Sequence, residues 1–320
     1  MLPYGYYRYN EPKIDGYEYA VFKTDDTLPL AYSYDSVMST EQLLEHPTEE
    51  RQELLMKNAV IDSDIPLKGT YEKADEQVSG YIVEPKDISL ENVTWDGYTL
   101  AANGDGKINF TIDPVPNAEI YLLYKGKVHT EIGKSSVSFG IGNGAGEYSY
   151  EICEEKNLYY LDIDKFMVNF GYHKDGIDQL TVNIYSNCTV DVDDWAIYCQ
   201  PMDDFEEAIH SLTEYKLENI TMENDSIRGT ISADTNKLLV FSIPCQNGWT
   251  AWVDGEKTEL VKTNIMYTGL EIEPGEHEIE LRYEMPGVKY GIVVTALSVS
   301  IFVLIVIGSA IVRKRKEQRR

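Results

Sequence analysis

The 320 residues contain little cysteine, little histidine and, before Gly291, no long apolar run. The four cysteines, Cys153, Cys188, Cys199 and Cys245, form no C-x-x-C pair, which excludes a zinc ribbon or a dithiol redox motif. Cys188 and Cys199 could bridge if the strands that hold them pair; four free, buried thiols are the blander alternative. The five histidines, at 46, 129, 173, 210 and 277, stand apart, and no H-E-x-x-H occurs. Basic residues are scarce as well. Before Arg313 there are 22 of the 28 Lys and Arg but 53 of the 54 Asp and Glu. A surface of that sign repels nucleic acid and anionic lipid headgroups, so a nucleic-acid partner is excluded.

Familiar site motifs are missing too. Gly133-Lys134-Ser135 ends like a P-loop, but position 128 is Val where the first glycine should stand. Gly140-x-Gly142-x-x-Ala145 leads into EYSYEI, a strand pattern where a dinucleotide fingerprint needs a helix. No G-x-S-x-G appears. Asp162-x-Asp164 and Asp191-x-Asp193 lie in strand patterns, and D-x-D pairs arise easily in so acidic a chain. No residues form a catalytic constellation, and nothing calls for a cofactor or a metal.

What the chain does have is concentrated at its end. Gly291 to Val312 reads GIVVTALSVSIFVLIVIGSAIV without a charge. At ~1.5 Å per residue this run crosses a ~30 Å hydrocarbon core as one helix. Lipid cannot satisfy backbone N–H and C=O groups, so helix is required despite the Val and Ile content. Arg313, Lys314, Arg315, Lys316, Arg319 and Arg320 follow at once. By the positive-inside rule this tail stays in the cytoplasm and the bulk lies on the outer face. The bilayer is therefore the first expected partner. MLPYGYYRYN lacks the basic start and apolar core of a signal peptide. Some 290 residues do not cross a membrane behind a C-terminal anchor, so the expectation is the C-terminal part of a larger membrane protein.

The body reads as mainly β: extracytoplasmic β-sandwich domains with a small N-terminal α+β segment and one C-terminal transmembrane helix. Residues 1–80 form the α+β segment and linker. Ser39 opens a helix with Gln42 as capping box, Pro47 interrupts it, and Thr48 can cap the next turn. Residues 81–200 carry short strands at 81–84, 88–95, 107–112, 118–124, 135–139, 147–152, 158–163, 179–185 and 189–198. Asn103-Gly104-Asp105-Gly106 and Asp175-Gly176 read as turns between them, as in a sandwich or jelly roll. Residues 201–215 hold a linker helix, DFEEAIHSL, with Asp204 as cap.

Residues 216–287 form a small membrane-proximal β domain, 290–312 the transmembrane helix and 313–320 the basic tail. In TAWVDGEKTELV, Asp254-Gly255 is a two-residue hairpin signature, because both turn positions need φ > 0. Pro274-Gly275 makes the next turn. EHEIELRYE alternates strictly, with His277, Ile279, Leu281 and Tyr283 on one face. Alternation puts Trp249, Ala251 and Val253 on an apolar, core-facing side and Trp252 on the mixed side. Trp249, Asp254, Gly255, Pro274 and Gly275 are structural residues. Trp252, and with it Trp95 and Trp195, are candidates for glycan or membrane-surface contact.

TLPLAYSYDS, EQLLEHPTEERQELLMKNAVID and residues 238–291 together resemble the C-terminal third of the YfhO-like bacterial membrane proteins. The resemblance is most specific at Ser242-Ile243-Pro244, Gly248-Trp249, Val253-Asp254-Gly255, Pro274-Gly275-Glu276-His277 and Pro286-Gly287. That family looks like GT-C glycosyltransferases, which take sugar from a polyprenyl-phosphate carrier on the outer face. The resemblance implies action on cell-wall polymers such as teichoic acid. Its acidic catalytic residue lies in an early external loop between N-terminal membrane helices. Those helices are missing partners here, so no catalytic residue carries over. The β domains would form a lid or acceptor-binding platform. A non-enzymatic, membrane-tethered wall-glycan-binding module is the alternative.

Overall fold

The computed structural model describes residues 2–10, 13–14, 17–18, 20–130, 136–141, 147–150, 165–185 and 188–318. In chain order, β1 (Tyr6–Asn10), β2 (Lys13–Ile14), β3 (Tyr17–Glu18), β4 (Val21–Thr24), β5 (Ala31–Tyr34) and β6 (Ser36–Ser39) precede α1 (Thr40–Glu45) and α2 (Thr48–Lys57). Then come β7 (Ala59–Ile61), β8 (Glu72–Lys73), β9 (Tyr81–Val83), β10 (Asp87–Trp95), β11 (Thr99–Thr111), β12 (Ala118–Thr130), β13 (Ser136–Ile141) and β14 (Glu147–Tyr150). β15 (Lys165–His173), β16 (Gln179–Tyr185) and β17 (Cys188–Pro201) lead to α3 (Phe205–Glu214). The rest is β18 (Glu218–Met222), β19 (Ser226–Ala233), β20 (Lys237–Pro244), β21 (Trp249–Val253), β22 (Glu256–Thr258), β23 (Val261–Thr263), β24 (Tyr267–Ile272), β25 (Gly275–Tyr283) and α4 (Val288–Glu317). The fold is mainly β, its sheets curl, and one C-terminal helix is long and apolar enough to span a membrane.

The chain divides into two compact units that interleave in sequence. The first comprises Met1–Leu28, Ser36–Val60 and Glu72–Glu214; the second comprises Pro29–Asp35, Ile61–Tyr71 and Tyr215–Arg320.

The first unit is built on an antiparallel sheet in the order β14-β13-β16-β11-β17-β12-β15, with β10 on β11 and β9 on β17. Its core holds Ile108, Phe110, Ile120, Phe170, Leu180, Ile184 and Ile197, each almost fully buried. Asn103 to Gly106, expected as a turn, lies inside β11. There the strand changes partner: Thr99–Ala102 pair with β17 and Gly106–Thr111 with β16. Glycines serve turns and strand kinks alike, and here the partners decide. β15 was absent from the expected strands, and the expected strand at 158–163 lies outside the described residues. Asp175-Gly176 does turn the chain, with Gly176 N–H donating to the His173 carbonyl over 3.4 Å.

The helical pair of this unit starts as its sequence dictates. Gln42 N–H donates to Ser39 Oγ over 3.1 Å, and Ser39 N–H to Gln42 Oε1 over 3.0 Å, a complete capping box. Thr48 was expected to cap α2 but is its first residue; Pro47 holds the cap position and makes no side-chain cap bond. Proline suits the start of a helix, where its missing N–H costs nothing. Met38, Leu43, Leu54 and Val60 form a separate small core beneath the helices.

The second unit packs two sheets face to face. One has the order β18-β19-β25-β21-β22. In the other, β5, β20, β24 and β23 lie side by side, and Thr263 of β23 pairs with Ile61. Ile227, Ile231, Ala251, Ile279 and Leu281 from the first meet Leu239, Phe241, Leu270 and Ile272 from the second. Residues 256–262, expected as one strand, divide into β22 on one sheet and β23 on the other. Asp254 (φ 53°) and Gly255 (φ 82°) make the tight β21–β22 turn with both residues at positive φ. Lys237 is buried against the carboxylates of Asp35 and Asp234, with its ammonium 3.9 Å from the Tyr215 ring centre. Glu271 accepts from the backbone N–H of Lys68 and Gly69 and from the Tyr71 hydroxyl, which secures the 61–71 segment.

Candidate functional site

Within the first unit lies a cavity of about 360 Å³. One wall is α2. Glu49, Gln52, Glu53, Met56 and Lys57 face it, spaced i, i+3, i+4, i+7 and i+8, which is a single helix face. The floor comes from the sheet. Glu119 and Tyr121 alternate on β12, Met167 and Asn169 on β15, and Gln200, next to last in β17, stands directly opposite Glu119. The β12–β15 pairing shifts between Glu119 and Tyr121, so that Tyr121 comes opposite Asn169. Bulges of this kind re-aim side chains. Tyr4, Met202 and Phe205 close the rest.

Two carboxylates dominate the site. Glu119 is only 6% exposed. It accepts from the Tyr4 backbone N–H (2.6 Å), the Asn169 amide (2.9 Å) and the Tyr121 hydroxyl. Burial, then the charge of Glu119, pushes the Tyr121 phenol far above its usual range, so Tyr121 stays a donor. Glu53 accepts from Ser79 N–H (2.9 Å) and Gln200 Nε2 (2.9 Å) and pairs with Lys57 Nζ at 3.0 Å. Burial pushes the Glu53 carboxyl up, but the hydrogen bonds from Gln200, Lys57 and Ser79 outweigh it and hold it below the usual range. Beside these groups Tyr4 and Phe205 stand edge to face, with ring centres 5.1 Å apart. The arrangement offers carboxylate acceptors, amide donors and ring surface in one recess, the set that binds a polyhydroxylated ligand.

The depressed Glu53 carboxyl has a pH consequence. Its folded-state pKa lies below the unfolded value, so its ionised form adds stability above that value, and the gain is lost as pH falls through the folded pKa. The stability gap between wild type and Glu53→Gln is expected to be full at pH 7 and to shrink below about pH 4.5. Denaturant unfolding of both proteins across that range checks it; a gap independent of pH contradicts the assignment.

The sequence-predicted residues lie elsewhere. Trp95 and Trp195 stand edge to face at 5.7 Å and both pack against the core of the first unit. Trp249 and Val253 pack against the core of the second unit, and Trp249 tilts over Tyr283 at 5.1 Å. Trp252 is half-buried, with the Arg282 guanidinium 5.3 Å from its ring centre. Asp254 Oδ1 accepts from Glu278 N–H, and its Oδ2 meets His277 Nδ1 at 2.7 Å, which locks the turn. Pro274 precedes Gly275, the first residue of β25.

Among the described residues, the remaining motifs make no site. Asp191 accepts from Thr99 Oγ1, and Asp193 lies 3.9 Å from Lys125 Nζ, while Asp162-x-Asp164 and Gly133-Lys134-Ser135 lie outside the described residues. Gly140 is a residue of β13, and Gly142 to Ala145 also lie outside them. The considered Cys188–Cys199 bridge is ruled out: both residues belong to the single strand β17, about 36 Å apart at strand rise, and Cys199 is a free, buried thiol.

A β-rich body joined to one bare apolar helix defines a membrane-associated protein. The family model described as "Bacterial membrane protein YfhO" matches residues 4–295, and the chain belongs to that family. It is 18% identical over 306 residues to "Uncharacterized protein YfhO" of Bacillus subtilis (strain 168), an alignment that covers 93% of this chain and 33% of that protein. The chain thus spans about a third of its relative's length. Among solved structures it is similar to the CBM22-1-CBM22-2 tandem domain of Paenibacillus barcinonensis Xyn10C, at 11% identity and TM-score 0.26, covering 67% of this chain and 92% of that one. It is also similar to dimeric latent PorU of Porphyromonas gingivalis, at 10% identity and TM-score 0.22, covering 69% and 22%.

Proposed function

We propose that this chain is the extracytoplasmic C-terminal region of a membrane glycosyltransferase that uses a polyprenyl-phosphate sugar and acts on a cell-wall polymer such as teichoic acid. Family membership and the apolar helix support the membrane setting. The observation that carries the reading is the cavity walled by Glu53, Glu119, Asn169, Gln200 and two aromatic rings. Adjacent sugar hydroxyls both donate and accept, and carboxylate and amide groups side by side answer both roles. Ring surface covers the C–H face of a sugar. In this reading the first unit holds the acceptor glycan, and the lipid-linked donor and the chemistry belong to the membrane core of the complete protein.

The test has two arms. In intact cells, an impermeant thiol reagent is expected to label a cysteine introduced at Asp105 and to miss one at Gln318; the reverse pattern refutes the orientation. In nanodiscs, the full chain is expected to bind a teichoic-acid oligomer, and Asn169→Ala to weaken binding about 10-fold, the scale of one lost bond in a charge-assisted network. Equal affinity of the two proteins removes the cavity from the reading.

A further inference from the structure

The body of the second unit has five exposed large apolar side chains among its described residues before α4: Ile220 (38%), Met222 (62%), Ile265 (58%), Met266 (54%) and Met285 (65%). Isolated exposed apolar residues are ordinary, but a set confined to one place is not. Ile220 lies within β18, and the other four sit at one end of the sandwich. There the turn after β18, the loop between β20 and β21, the turn between β23 and β24, and the segment that leaves β25 are joined by backbone hydrogen bonds. Tyr283 N–H donates to the Asp225 carbonyl (2.7 Å), Glu284 N–H to Gly248 (3.0 Å), and Cys245 N–H to Met266 (2.8 Å). The turns at the other end, at Asp234–Asn236, Asp254–Gly255 and Glu273–Pro274, show no exposed large apolar residue.

The apolar end is the end from which the membrane helix departs. Met285 is three residues before Val288, the first residue of α4, and the candidate span Val288–Ile311 holds an 18-residue stretch of mean hydropathy 2.7, no residue of which is buried. One turn at this end is held against its own preference. Ile265 adopts φ 72° after Asn264 at φ 47°, and a β-branched residue avoids that region. Strain of this kind persists where the surrounding structure imposes it, and here it accompanies the outward placement of both Ile265 and Met266. Methionine suits such a place, because its flexible thioether adapts to a fluid apolar partner.

We infer that this end of the second unit docks on the bilayer, with Met222, Ile265, Met266 and Met285 entering the interfacial region around the root of α4. The occupant is lipid rather than a protein partner because the patch is continuous along the chain with the spanning helix. Contact is apolar rather than electrostatic. Glu223, Asp225 and Glu284 lie among the same loops, and Lys289 is engaged with Glu284 at 2.6 Å, so no free basic cluster recruits anionic headgroups. The body is thereby held at a fixed height, not swung freely on the 284–287 connection.

The test uses the full chain in phosphatidylcholine nanodiscs, with an environment-sensitive nitrobenzoxadiazole dye on Met222→Cys, on Asn236→Cys at the opposite end, and on the unsubstituted chain as baseline. Nitroxide lipids labelled near the headgroup are expected to quench the dye at 222 at least ~2-fold more than at 236, with blue-shifted emission at 222. Adding Met266→Glu and Met285→Glu, both exposed and so compatible with folding, is expected to abolish the difference while circular dichroism is unchanged. Equal quenching at both ends, or quenching at 222 that survives the two glutamates, overturns the inference. The readout is dye depth alone, so it stands apart from any ligand of the cavity.

Discussion

Replacing Asn58 with alanine is expected to lower the stability of the first unit more than any surface change. Asn58 is fully buried. Its amide donates to the carbonyls of Leu54 (3.1 Å) and Asp75 (2.7 Å), and its oxygen accepts from Asp75 N–H (2.8 Å) and Ser36 Oγ (3.0 Å). It follows the last residue of α2 and ties that helix end to β6 and to the 75 segment. Truncation leaves several buried polar groups without partners, at a cost of roughly 3–5 kcal/mol. The corresponding fall in Tm is about 8–15 °C. Because α2 carries Glu53, ligand binding in the cavity should fail together with stability. A Tm within ~2 °C of wild type would show that water replaces the amide without penalty.

Gly248→Ala is expected to disrupt the second unit on comparable scale. Gly248 has φ 116°, and a Cβ there would stand 2.6 Å from the Glu284 carbonyl oxygen and 2.8 Å from the Tyr283 ring. The oxygen belongs to backbone and cannot swing aside. Strained φ and overpacking together cost roughly 2–5 kcal/mol. Since Glu284 N–H also bonds the Gly248 carbonyl, the damage falls where the chain leaves for α4. Near-ultraviolet circular dichroism, which senses Trp249 against Tyr283, should lose intensity on heating earlier than in wild type. An unchanged melting curve would mean that the loop relaxes freely.

Local patterns made part of this architecture legible. The capping box at Ser39, the Asp254-Gly255 turn and the uncharged terminal run each act through neighbours a few residues away. The burial of β25 repeats its period: Ile279 and Leu281 are buried, Glu278 and Arg282 exposed. Where pairing decides, the same signals misled. The glycines at 104 and 106 permit a turn, but β16 and β17 draw the flanking residues into one strand. The 256–262 run looks continuous because nothing local says that its halves belong to different sheets. The cavity was hidden for the same reason. Glu119 and Asn169 are polar residues inside apolar strands, a signal that was available, but only the tertiary pairing of β12 with β15 and β17 brings them beside the polar stripe of α2.

The interleaved strand β5 sets a timetable for synthesis. Its partner β20 is far downstream: Asp35 and Lys237, paired in the finished unit, are 202 residues apart. At ordinary elongation speeds the ribosome takes roughly 10–40 s to make the intervening chain. Closing so long a loop costs about 5 kcal/mol of chain entropy before any contact offsets it. Until then Ala31–Tyr34, buried throughout in the finished unit, stands as an unmatched edge. A nascent chain of this kind calls for a holding chaperone during that wait. A fragment cut to begin at Tyr215 would carry the mirror-image defect, the bare edge of β20, and should aggregate.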